Sequence, residues 1–75
     1  MGTEQLVRMA NDIAAFFAAA SDAGEPAQGV AGHLRRYWDP RMRREIVRYV
    51  ASGGDGLVPI ARAAVEMLAK TDVPR

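Results

Sequence analysis

The side chains of this chain best able to do chemistry or to anchor a partner gather in one stretch, His33-Leu34-Arg35-Arg36-Tyr37-Trp38-Asp39-Pro40-Arg41-Met42-Arg43-Arg44. It holds the single Trp, the single His and five of the ten basic residues. A catalytic or metal-bound His needs partners at defined spacing. None stands near His33, so a structural or interface hydrogen bond is the favoured reading of its position. The carboxylates are scattered singly and form no acid–base pair. Ser21 and Ser52 fall in turns with no base beside them, which leaves nucleophilic catalysis without support. Gly53-Gly54-Asp55-Gly56 lacks the Gly-Lys-Ser/Thr ending of a phosphate loop and reads as a helix C-cap and turn. What remains is recognition, because large aromatics and arginines are enriched where one protein anchors on another.

Charge points the same way. The net charge of +1 hides a segment, 33–48, that carries +4, against −3 for the rest of the chain. A basic patch on a slightly acidic body suits an acidic surface. At 100° per residue Arg41, Arg44, Glu45 and Arg48 share one helical face, opposite Met42, Ile46, Tyr49 and Val50. Three readings of that arginine face stand side by side: protein docking, a solvated surface, and a helix-turn-helix-like nucleic-acid reader. Glu45 within the stripe, a pI of 8.3 and the absence of Asn or Gln on the face weigh against the last.

Size bounds everything else. Seventy-five residues make a single domain, 1–75. A chain of this length buries only about 60% of its unfolded surface and is marginal alone. Without Cys there is neither a disulfide nor a thiolate metal site, so association with another chain is the expected staple. Apolar residues at 49% and charged ones at 25% describe a globular protein. The longest apolar run, Ile13 to Ala20, has eight residues, against about 20 for a membrane span. Glu4 and Asp12 outweigh Arg8 where a signal peptide needs positive charge. Leu6 stands where a myristoylation motif wants Ser or Thr. A soluble, cytoplasmic protein is expected.

The elements that position these residues read as helices, and the fold class as all-α, a compact bundle of about four short helices. The first helix spans about Thr3 to Ala20, with Thr3 as its cap. Leu6, Met9, Ala10, Ile13, Phe16, Phe17 and Ala20 recur at helical spacing. Beyond Ile13 this helix is apolar all round, which calls for cover on every side unless Ala is simply filling positions as a good helix former. A turn at Ser21-Asp22-Ala23-Gly24-Glu25-Pro26 leads into a second helix, Pro26 to Tyr37. Gly29 and Gly32 inside it mark either close approach of another backbone or, more commonly, a tolerated imperfection. Asp39 and Pro40 read as N-cap and first residue of a third helix ending near Ser52. Trp38 is placed to staple against Met42 or Arg43. Pro59 opens the fourth helix, and residues 1–5 and 71–75 are expected to fray.

With these motifs in view, the chain resembles the small delta subunit of bacterial NAD-dependent, molybdenum-containing formate dehydrogenases. The resemblance rests on Leu6-Val7-Arg8-Met9-Ala10-Asn11-Asp12-Ile13 with Phe16-Phe17, and on Val30-Ala31-Gly32-His33-Leu34-Arg35-Arg36-Tyr37-Trp38-Asp39-Pro40-Arg41-Met42-Arg43. A Gly-rich turn before Leu57-Val58-Pro59-Ile60 completes it. It implies a non-catalytic accessory chain in a cytoplasmic hetero-oligomer that oxidises formate and reduces NAD. The partner it implies is the catalytic (alpha) subunit, and the role is support of stability or of cofactor insertion, whether as a resident subunit or as a transient maturation chaperone. The molybdenum bis-pterin guanine dinucleotide cofactor, iron–sulfur clusters, FMN and NAD belong, on this resemblance, to other subunits. No cofactor, metal, nucleic acid or membrane is expected on this chain. The residues expected to bind the partner are His33, Arg35, Arg36, Tyr37, Trp38, Arg41, Met42, Arg44 and Arg48. Trp38, Tyr37 and Met42 serve as apolar anchors, and the arginines meet acidic groups.

Overall fold

The computed structural model describes residues 2–20 and 24–72, and four α-helices follow one another within them. They are α1 (Thr3–Ala19), α2 (Pro26–Tyr37), α3 (Pro40–Ala51) and α4 (Pro59–Asp72). The pattern-based bounds hold for α2, and α1 and α3 each stop a residue earlier than expected. Of the residues expected to fray, 3–5 lie in the first turn of α1 and 71–72 in the last turn of α4. Met1, the turn residues Ser21–Ala23 and residues 73–75 lie outside the described residues.

Local chemistry explains most helix ends. Asp39 caps α3 as the sequence predicts, its Oδ1 accepting from the Met42 N–H at 2.9 Å. Pro40 follows at the first position, where a missing N–H costs nothing. The other end of α3 closes in a Schellman motif, in which Gly53 and Gly54 N–H groups donate to Val50 and Tyr49 carbonyls, each at 3.0 Å. Gly53 has φ +134°, a conformation closed to L side chains. Thr3 differs from its expected role. Gly2 occupies the N-cap of α1 without a side-chain bond. The Thr3 hydroxyl instead donates across the bundle to the Glu45 carboxylate on α3.

Each helix contributes to one apolar core: Leu6, Ala10 and Ala14 from α1, Val30 and Leu34 from α2, Ile46 from α3, and Ala61, Ala64, Val65 and Leu68 from α4. Small residues at Ala61 and Ala64 let α4 lie close against α2 and α3, its main neighbours. The radius of gyration is 11.2 Å, which equals the value of about 11 Å for a compact chain of this length. The buried residues of all four helices form one cluster within the chain. The α3–α4 loop is tied down by side chains. Asn11 donates to the Gly56 carbonyl at 2.9 Å and accepts from the Val58 N–H at 3.0 Å. The Tyr49 hydroxyl donates to the Asp55 carbonyl at 2.6 Å, and Arg62 to that of Gly54 at 3.1 Å.

The two α2 glycines have different surroundings. A Cβ on Gly29 would stand 2.5 Å from the Phe17 ring, so the close neighbour is an aromatic side chain rather than a backbone. A Cβ on Gly32 would meet nothing within 4 Å. Gly32→Ala is therefore expected to raise stability by about 0.5–1 kcal/mol through helix propensity. Gly29→Ala, which must displace a ring held between its neighbours, should lower it by roughly 1 kcal/mol or more. Urea midpoints at unchanged slope measure both, and equal gains from the two variants would refute the packing argument.

Candidate functional site

The structure divides the predicted partner-binding stretch into inward and outward parts. Trp38 is only 5% exposed and belongs to the core, joined by half-buried Met42. The Trp38 ring, expected as a partner anchor, packs in the core of its own chain, and Met42 lies mostly with it. The cause is the C-cap. Trp38 leaves α2 with φ −87° and ψ 139°, while its N–H still donates to the Leu34 carbonyl at 3.0 Å. That extended residue turns the ring into the bundle. Tyr37, one position earlier and about 100° round the helix, stands outward at 67% exposure.

Arg43, absent from the predicted set, holds this corner. Its guanidinium donates to the Arg35 carbonyl at 2.7 Å and the Trp38 carbonyl at 3.2 Å, pairing groups that the end of α2 leaves without intrahelical partners. Nothing in its spacing separates Arg43 from its basic neighbours; only the direction of the chain after Pro40 does.

Two outward surfaces remain. On α3, Arg41, Arg44 and Arg48 are exposed along one face. Glu45 does not interrupt it, because its half-buried carboxylate is turned toward Thr3 on α1. The face is thus more uniformly basic than the sequence suggests, which removes one argument against an anionic polymer.

The second surface runs across α1 and α2. Phe16 is 69% exposed and meets Phe17 edge-on at 5.3 Å between ring centroids. Phe17 meets His33 at 6.3 Å, and His33 meets Tyr37 at 4.7 Å. These four rings form a continuous series, with exposed Arg36 beside it. Ala15, Ala18 and Ala19 extend the apolar strip along α1. The apolar end of α1 is accordingly buried on one side only, with Ala filling exposed positions, the second of the two readings its sequence allows. Of Phe16 and Phe17, expected to point one inward and one toward a partner, Phe16 is the exposed one, and it lies outside the predicted site set. Helical spacing places it with core positions, and only the packing of Phe17 against Gly29 and the core shows which ring takes the inward place. Among the described residues no group of three or more His, Cys, Asp or Glu could hold a metal ion, and no helix is long and apolar enough to cross a membrane.

Trp38→Ala should cost at least about 2 kcal/mol of the isolated chain's stability, whereas Tyr37→Ala should stay within about 0.5 kcal/mol. Thermal or urea unfolding of the two variants checks this; comparable losses would place Tyr37 in the core and undo the partition.

A family model described as the NADH-dependent formate dehydrogenase delta subunit FdsD matches residues 5–65. No curated protein and no solved structure matches.

Proposed function

Since the chain belongs to the family of NADH-dependent formate dehydrogenase delta subunits, we propose that it is a non-catalytic accessory chain docking on the molybdenum-containing catalytic subunit of a cytoplasmic complex. There it supports the stability of that subunit or the insertion of its cofactor. The observation carrying this reading is the pair of exposed rings, Phe16 and Tyr37, on a domain whose buried residues form one cluster. Leaving large aromatic surface in water forgoes stabilisation of about 25 cal/mol per Å². A contiguous patch of such surface is the mark of an interaction site.

The arginines complement those rings. Arg35, Arg36, Arg41, Arg44 and Arg48 are exposed, and each fork suits a carboxylate on the partner. The molybdenum bis-pterin guanine dinucleotide, iron–sulfur clusters, FMN and NAD of the complex are held by its other subunits. The absence of Cys supports this assignment, since iron–sulfur clusters need thiolates. Neither nucleic acid nor membrane is a partner on this reading.

The test is a tagged pull-down from the native host, with formate-dependent NAD reduction and molybdenum content measured in the eluate. An active, molybdenum-loaded complex recovered in stoichiometric amount is the result expected of a resident subunit. Recovery of a molybdenum-free catalytic chain alone assigns a maturation role. Finding no formate dehydrogenase polypeptide would overturn the reading and return the α3 face to the nucleic-acid alternative.

A further inference from the structure

The groove between α1 and α2 has a chemistry that specifies its occupant. Its lining includes Phe17, Gly29, Gly32, His33, Arg36 and Tyr37. Open space stands where a Cβ of Gly32 would point, so an incoming side chain can approach the α2 backbone there. One turn further along α2, Arg36 brings a full positive charge to the groove, and among the described residues no carboxylate is part of the lining. Apolar walls beside an arginine fork complement an apolar side chain followed closely by a carboxylate.

We infer that this groove takes a short segment of the catalytic subunit in which an aromatic or aliphatic anchor stands next to an Asp or Glu. The anchor seats over Gly32 beside the rings of Phe17, His33 and Tyr37, with Phe16 at the rim against Phe17, and the carboxylate meets Arg36. This inference rests on the docking reading above. A second copy of this chain is a poorer occupant. A twofold contact sets the patch against itself, and two Arg36 side chains would then meet with no acidic group among the described residues of either lining. Trp38 and Met42 take no part, being directed into the core.

The experiment uses the full chain co-expressed with the catalytic subunit. A photoreactive benzoylphenylalanine placed at position 16 is irradiated in the complex, and the cross-linked peptide is sequenced by mass spectrometry. Capture of the catalytic subunit is titrated in parallel for wild type, Phe16→Ala, Arg36→Glu and Gly32→Leu. The last variant fills the groove at a position where no neighbour lies within 4 Å, and helix content by circular dichroism confirms that it is folded. The expected result is a cross-link to a catalytic-subunit segment carrying a carboxylate beside an apolar residue. Each variant should weaken capture about tenfold or more, the range of anchor residues at interface centres. A cross-link to a second copy of this chain, or to a segment without a carboxylate, overturns the inference. So does undiminished capture by Arg36→Glu and Gly32→Leu while the wild type captures normally. A wild-type chain that captures no catalytic subunit is a different failure, and it falls on the docking reading itself.

Discussion

Backbone polarity at the junction of α2 and α3 governs how this small molecule is arranged. One helix ends and the next begins between Tyr37 and Pro40. Carbonyls at the end of the first and N–H groups at the start of the second both lack intrahelical partners. Arg43 supplies donors to the former and Asp39 an acceptor to the latter, so one guanidinium and one carboxylate close both ends within a single tight corner. Satisfying the corner in this way fixes an extended Trp38, and an extended Trp38 sends the largest ring of the chain into the core. Helical geometry then leaves Tyr37 outside. The exposed tyrosine follows from the buried tryptophan, and the recognition surface is set by the same few hydrogen bonds that set the fold.

Much of this is readable in the sequence because it is local. Proline at the first position of α2, α3 and α4, Asp39 as a cap, and the glycine run after Ser52 each act through a neighbouring backbone group, and the helices they delimit appear where the pattern puts them. Contacts between distant residues are what the pattern misses. Thr3 has the chemistry of a cap, yet its hydroxyl reaches Glu45 on α3. Asn11 has the look of a polar surface residue on α1, yet both ends of its amide hold the loop before α4. In the same way Trp38, rich in interface propensity, lies inward, because propensity does not encode the direction in which an element leaves a corner.

The basic segment shows how residues of one type divide into different tasks. Arg43 is consumed by the end of α2, and Arg62 by the α3–α4 loop. Arg36 stands at the α1–α2 groove beside aromatic rings, while Arg41, Arg44 and Arg48 face outward from α3. A charge beside an apolar seat is desolvated on binding and acts on the lifetime of a complex. Charges on an open face act chiefly on the rate of encounter, and salt screens them. Within the +4 segment Arg36 lines the groove, Arg43 holds the corner, and Arg41, Arg44 and Arg48 face outward, although composition counts them alike.

A domain of this size has little stability to spare, and the arrangement keeps its two demands apart. Core positions such as Leu6, Val30, Leu34, Ile46, Val65 and Leu68 are fully buried and come from all four helices. The aromatic series, by contrast, lies on the outer side of α1 and α2. Only Phe17 belongs to both, packed against the core on one side and against Gly29 and His33 on the other. That double contact explains why glycine is tolerated at position 29 in the middle of a helix. The cost in helix propensity, about 1 kcal/mol, is the condition for a ring to lie flat against α2. The ring in turn links the packing of the core to the shape of the groove.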